Sequence, residues 1–362
     1  MKKNEIVTLR LRHQLVIGLG LADPHQVVQH MGAIQAQDYR SSLWAIGLRV
    51  GDEGACNEAI VEQAVLDKQI VRTWPMRGTL HWVTAADARW MLHLLAPRVV
   101  KSTRGRYRQL ELDERVFDKS REILESNMAG GRSLTRTEIY QLLTEGGIAT
   151  HDQRGIHIIG YWAMKALICQ APKKNRQDAF VLLDEWLPGL PELMGVEALA
   201  ALAERYIRSH GPATEYDFAS WAGVTISDAR RALEMLLPQL QQAKVEGDTY
   251  WFAETEGPLA PLKEGTVFLL PAFDEMLCGY KDRTALLTSA EMKATILKNG
   301  IFKPIVLLDN RAVGTWQRTV KADQVVVSFS FFRPLSPQEI RLIGEKARLL
   351  ETFFEKEVVV VS

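Results

Sequence analysis

Two glutamines separated by one residue, Gln35 and Gln37 in the run Gly32-Ala33-Ile34-Gln35-Ala36-Gln37-Asp38-Tyr39-Arg40, are the first candidates for chemistry. A carboxamide carries a carbonyl acceptor and two N–H donors, enough to hold a water in one orientation, but it is no general base near neutral pH. Residues i and i+2 do not share a face of a helix, so the pair converges on one ligand only where the chain is extended or turned, as in a loop between helices. On spacing alone an exposed turn or a capping group is the more common outcome. Asp38 is a tempting base beside Gln37, yet adjacent side chains point apart, and a carboxylate there also suits the N-cap of a following helix.

Other candidates are scattered. His81, in Thr79-Leu80-His81-Trp82-Val83, alternates with apolar neighbours on a strand and faces either a cleft or the core. Asp274, Glu275, Tyr280, Asp282 and Arg283 crowd the segment 271–283, where opposite charges so close together favour a salt-bridged scaffold over a pocket. Between residues 98 and 108 the chain carries Arg98, Lys101, Arg104, Arg106 and Arg108 without one acid, Lys173, Lys174 and Arg176 form a second cluster, and Arg77 sits at a turn. Such clusters neutralise phosphates and hold a duplex without reading its sequence; the first also suits a solvated helix face. The aromatic residues form no stacking platform, which disfavours single-strand binding.

The elements that must position these residues read as a recurring helix, turn, helix and hairpin, the winged-helix pattern. The middle copy is clearest. Thr135 and Glu138 have the capping-box spacing, Ile139, Leu142 and Leu143 give an apolar face, and Gly146-Gly147 ends the helix. A second helix from Gly155 to about Ala166 precedes strands around Pro172-Lys173-Lys174-Asn175-Arg176. A later copy has Thr214 and Asp217, then Thr225 or Ser227, as caps and Glu246-Gly247-Asp248 as its hairpin turn. The first copy is longer, with helices over 9–21, 24–32 and 41–50, strands 70–76 and 79–84 around Arg77-Gly78, and a helical stretch from 85 into the basic run. From about 262 the sequence turns strand-rich and ends in an amphipathic helix and a last strand. The expected class is therefore α+β, with about three tandem winged-helix modules at 1–125, 126–190 and 191–261, then a small β-barrel-like domain at 262–362.

The chain has 362 residues, 47% of them apolar, with 44 basic against 44 acidic side chains. This composition excludes disordered, collagen-like and coiled-coil classes, and zero net charge argues against a protein that simply coats nucleic acid. Cys56, Cys169 and Cys278 stand far apart, with neither a disulfide framework nor a metal-ligand spacing. Arg10, Arg12 and His13 interrupt the N-terminal apolar run, which reads as the first helix of a cytoplasmic protein rather than a signal peptide, and no stretch is long enough to span a bilayer.

The segment around Gln35 and Gln37 resembles the Gln-x-Gln signature of the AlkZ-like winged-helix DNA glycosylases. The blocks 77–83 (RGTLHWV), Trp221-Ala222-Gly223 through Arg230, and 271–283 (PAFDEMLCGYKDR) also match the family pattern, and the similarity covers nearly the whole chain. The resemblance implies three winged helices and a C-terminal β domain arranged as a C around duplex DNA. It further implies excision of N3- or N7-alkylated purines, with unhooking of azinomycin-type interstrand crosslinks. Gln35 and Gln37 would then hold the nucleophilic water. A relative with an acid at the second glutamine belongs to a related subgroup, so Gln37 places this chain with the crosslink-associated one. Crosslinked purines cannot be flipped out in the ordinary way, which implies approach in the groove with a hairpin or wing probing the duplex. The expected enzyme is a monofunctional, metal-independent monomer with no cofactor and no obligate protein partner, associated with the nucleoid and not with membranes.

The main alternative is a non-catalytic winged-helix transcription regulator, reading base edges with helices such as 156–166 or 228–236. Against it, the helix after Gly155 is mostly apolar and aromatic, unsuited to base edges. A metabolic enzyme finds no phosphate loop, dinucleotide fingerprint or nucleophile elbow.

Overall fold

The computed structural model describes residues 3–18, 20–189, 192–254 and 262–361. The module boundaries read at 190–191 and at 261 fall on residues outside that description. The fold is α+β and divides into two compact units, one of residues 1–62 and 200–362, the other of residues 63–199.

In the second unit the hairpin Ile70–Met76 and Thr79–Thr84 is antiparallel and joins strands Ile168–Lys174, Gln177–Leu182 and Leu134–Thr135 in one sheet. The basic run lies on helix Ala85–Gln109, which continues through Pro97. Helix Glu114–Met128 places Phe117, Ser120, Leu124 and Met128 on one face, and helices Arg136–Glu145 and Arg154–Met164 close over it. Phe117, Leu124, Ile139, Leu143, Ile158 and Trp162 form that core, and the removal of apolar surface from water holds it together. Thr135 and Glu138 make the expected capping box. Asn175 and Arg176, both with positive φ, form the tight hairpin turn.

The first unit begins with helices Lys3–His13, Pro24–Met31 and Tyr39–Gly47. The first ends at His13, short of the run to 21 expected of it. Gly32, at φ 74°, ends the second and turns the chain into the two-residue strand Ile34–Gln35. After residue 200 come the rest of helix Gly195–His210, helices Glu215–Ala222 and Ile226–Met235, and the hairpin Gln241–Val245 with Asp248–Phe252. Thr214 and Asp217 form a capping box, and Thr225, not Ser227, caps the next helix.

The C-terminal strands form one five-stranded sheet in the order Glu357–Val361, Gln324–Phe331, Arg311–Val320, Ile305–Leu308, Val267–Leu270. Among the described residues no pairing joins its two edge strands, so the sheet is open where the strand-rich sequence suggested a barrel. The final strand runs parallel to its neighbour because helices Pro337–Ala347 and Leu349–Phe354 carry the chain back. Among the described residues no helix is long and apolar enough to cross a membrane.

Candidate active site

The Gln-x-Gln segment lies in the first unit between the helix ending at Met31 and the one beginning at Tyr39. Its chain is extended through Ile34–Gln35 and bends at Gln37 and Asp38, the geometry that glutamines two apart require. The two side chains are not equivalent. Gln35 is buried, at 7% exposure, whereas Gln37 is exposed and lines an open groove with Asp38, Arg40, Pro304, Gln317 and Arg318. Asp38 is the N-cap of the following helix, its Oδ1 accepting the Ser41 amide at 2.8 Å. Arg318 donates to Ser41 Oγ at 3.3 Å and lies over the rings of Trp316 and Phe354. Burial lowers its pKa, against the pull of the Asp38 carboxylate.

A buried polar network stands behind the loop. Glu275 Oε1 accepts the Gln35 backbone amide at 2.8 Å, and its Oε2 accepts Trp221 Nε1 at 3.1 Å and faces His210 Nε2 at 3.4 Å. Asp274 accepts both terminal nitrogens of Arg49, at 3.0 and 3.1 Å, and caps helix Glu275–Cys278 through the Met276 amide. Arg49 also donates to Gln14 and to the Ala45 carbonyl. Gln14 donates to the Tyr280 hydroxyl, and that hydroxyl donates to the His210 carbonyl, which closes the circuit. Arg10 lies 3.6 Å over the Tyr280 ring and pairs with buried Asp217. Phe273, at φ 60°, makes the turn that delivers Asp274 and Glu275, a conformation held by its packing against Phe302. Burial lowers the pKa of His210, against the pull of the Glu275 carboxyl.

The sequence candidates thus separate. Gln35 and Glu275 meet directly, Gln37 and Asp38 share the groove, and Asp274 and Tyr280 are buried in the circuit behind them. Arg283 turns to the carbonyls of Leu277 and Lys281. His81 and Arg77 belong to the second unit. His81 is fully buried, its Nδ1 donates to the Thr79 carbonyl at 2.9 Å, and Nε2 accepts from the half-buried Arg77 guanidinium at 3.2 Å.

Lys101, Arg104, Arg106 and Arg108 are exposed, as are Arg98, Lys173, Lys174 and Arg176. At 100° per residue Arg98, Lys101, Arg104 and Arg108 fall within an arc of about 120° on their helix. Arg106 lies outside it and bonds Gln109 and Gln153, while Lys174 pairs with Glu138 at 3.2 Å. Sequence reasoning missed Gln14, Arg49 and His210. The one available signal was a cation inside an apolar run, as Arg49 is between Leu48 and Val50.

Residues 28–353 match the family described as DNA glycosylase AlkZ-like. The chain belongs to that family. It is 24% identical over 348 residues to an interstrand DNA cross-link repair glycosylase of Streptomyces sahachiroi, covering 90% of each chain. The solved structure of Streptomyces sahachiroi DNA glycosylase AlkZ superposes with a TM-score of 0.78 over the whole of both chains at 22% identity, which establishes the shared fold. An AlkZ-like DNA glycosylase acts on DNA. Among the described residues no group of three or more metal-ligating side chains is found.

Proposed function

We propose that this AlkZ-like protein hydrolyses the N-glycosidic bond of N3- or N7-alkylated purines in duplex DNA, crosslinked purines included, with a water oriented by Gln35 and Gln37. The observation that carries this reading is the position of the family's Gln-x-Gln segment, open to the groove at Gln37 and anchored from behind through the Gln35 amide. The description of the Streptomyces relative as a cross-link repair enzyme supports the crosslink part of the substrate range.

An N-alkylated purine is cationic and already a good leaving group. Water adds to C1′ as the C1′–N bond breaks, the bonding electrons stay on the purine, and the proton of the water leaves to solvent. Carboxamides suffice to orient that water, and Asp38, engaged as a helix cap, is not needed as a base. Arg40 and Arg318 put positive charge beside the groove, where the phosphates flanking a lesion would lie. Arg77, Lys101, Arg104, Arg106, Arg108, Lys173, Lys174 and Arg176 are assigned to the phosphate backbone. The helix–helix–hairpin units at 126–190 and 191–261 are assigned as winged helices, with a longer one over 1–125 and a β domain over 262–362. The enzyme is taken to act as a cytoplasmic monomer without a cofactor.

Incubating the protein with duplex DNA carrying N7-methylguanine, with and without EDTA, and scoring abasic sites after alkali tests this. Abasic sites that form equally with EDTA are the expected result. Strand cleavage before alkali, or a covalent adduct trapped by borohydride, would contradict a monofunctional hydrolase. Salt-dependent duplex binding without excision of any alkylated or crosslinked purine would favour the winged-helix regulator.

A further inference from the structure

We propose that Glu275 is the positioning residue of the Gln-x-Gln segment, a buried carboxylate that fixes the Gln35 peptide and is itself fixed by Trp221 and His210. Its effect on catalysis rests on the glycosylase reading; its effect on the loop does not.

Glu275 is 1% exposed, and Trp221 and His210 are fully buried. A carboxylate this deep is retained against its desolvation only when donors hold it, and here a backbone amide, an indole and an imidazole converge on its two oxygens. The donors are themselves locked. Trp221 lies on helix Glu215–Ala222, and the His210 ring stacks on Tyr206 at 4.7 Å and meets Ser209 Oγ through Nδ1 at 2.7 Å. Gly279 also lies against the ring, where a Cβ would come within 2.5 Å of His210 Cδ2. The one Ser209 hydroxyl proton also faces the Arg205 carbonyl at 2.7 Å, so the firm donors to Glu275 are the Gln35 amide at 2.8 Å and the Trp221 indole at 3.1 Å.

The hydrogen bond to the Gln35 amide restrains the plane of the Ile34–Gln35 peptide, alongside the strand geometry of that segment. Because the chain is extended there, rotating that plane moves Gln35 at once and Gln37 two residues on. A catalytic group displaced by about 1 Å loses about a hundredfold in rate, so the anchor matters although Glu275 is itself buried.

Glu275→Gln keeps size and one acceptor but turns an amide NH2 towards a donor. Trp221→Phe keeps the ring and deletes one donor. Each is measured by the 1H–15N resonance of the Gln35 amide and by the single-turnover excision rate on N7-methylguanine duplex, beside its affinity for the same duplex. The wild-type amide is expected far downfield, as carboxylate-bound amides are, and to move upfield in Glu275→Gln. Excision should fall about 10- to 100-fold in Glu275→Gln and about 3- to 10-fold in Trp221→Phe, with affinity unchanged within about twofold. An unmoved Gln35 amide, or an excision rate within about twofold of wild type in a folded Glu275→Gln protein, overturns the proposal. If Glu275→Gln does not fold, the same two readouts on Trp221→Phe decide it. If the wild type excises nothing, the glycosylase reading for this lesion fails, and the amide shift alone still decides whether Glu275 holds the segment.

Discussion

Replacing Asp274 by alanine removes a fully buried carboxylate that accepts two bonds from Arg49 and one from the Met276 amide. Breaking a buried ion pair by deleting one partner costs about 3–5 kcal/mol, because the surviving charge stays in a medium that solvates it poorly. The lost helix cap adds about 1 kcal/mol. Arg49 keeps its bonds to Gln14 and the Ala45 carbonyl, which places the expected loss near the low end, at about 4 kcal/mol. For a unit of this size each kcal/mol lowers the thermal midpoint by about 2–4 °C, so the shift should be about 8–16 °C. Circular dichroism during thermal and urea unfolding measures it. The double variant Arg49→Met/Asp274→Leu strands no charge and should recover much of the loss. A single-variant loss below about 1 kcal/mol would refute the reasoning, since it would mean that the Arg49 guanidinium finds equal solvation without its partner.

Three further outcomes are expected. The Thr135 amide and hydroxyl, with Lys174, hold the Glu138 carboxyl at about 2, below its ordinary 4.5. A depressed folded-state value stabilises above the unfolded value and is lost as pH falls through the folded one. The difference in urea midpoint between wild type and Glu138→Gln should therefore be constant at neutral pH and shrink between about pH 4.5 and 2. The triple variant Lys101→Ala/Arg104→Ala/Arg108→Ala should fold normally but lower the slope of log affinity against log salt by up to about 2.7, at about 0.9 for each phosphate left without its cation; fluorescence anisotropy over a salt series reads it. Gly279→Ala places a methyl 2.5 Å from His210 Cδ2 and 2.6 Å from the Glu275 carbonyl. Neither neighbour can yield, so urea unfolding should show a loss of about 1–3 kcal/mol.

What was legible in the sequence was local. The capping boxes at Thr135 and Thr214, the paired strands 70–76 and 79–84, and the turns at Asn175-Arg176 and Glu246-Gly247 all follow from residue types within a few positions of one another. Helices Glu58–Leu66, Glu114–Met128 and most of Gly195–His210 fall outside the helix, turn, helix and hairpin pattern, although Glu114–Met128 carries a clear apolar stripe. The C-terminal amphipathic run reads as one helix and forms two, Pro337–Ala347 and Leu349–Phe354, divided at Arg348, while buried Ile343, Ala347, Leu350 and Phe354 keep a single apolar stripe across the division.

The glutamines were visible as types because extended backbone at i and i+2 is a local requirement. Their inequality was not: Gln35 is buried with its amide on Glu275, 240 residues away, while Gln37 is exposed, and no local pattern distinguishes the two. Arg49 meets Asp274 across 225 residues and Tyr280 reaches the His210 carbonyl across 70, separations at which no spacing rule operates. The charge cluster of 271–283 read as a scaffold because like and unlike charges alternate there, but its Arg49 partner lies too far along the chain for any local pattern to reveal it.

Whether the groove-facing glutamine orients the attacking water is decided by the single-turnover release of free N7-methylguanine from duplex DNA. Wild type and Gln37→Ala are compared at protein concentrations that saturate the duplex for each. A rate at least about tenfold lower in Gln37→Ala, with duplex affinity retained, is the expected result, as when one preorganised hydrogen-bonding group is removed from an active site. Equal rates of base release from the two proteins would contradict that role.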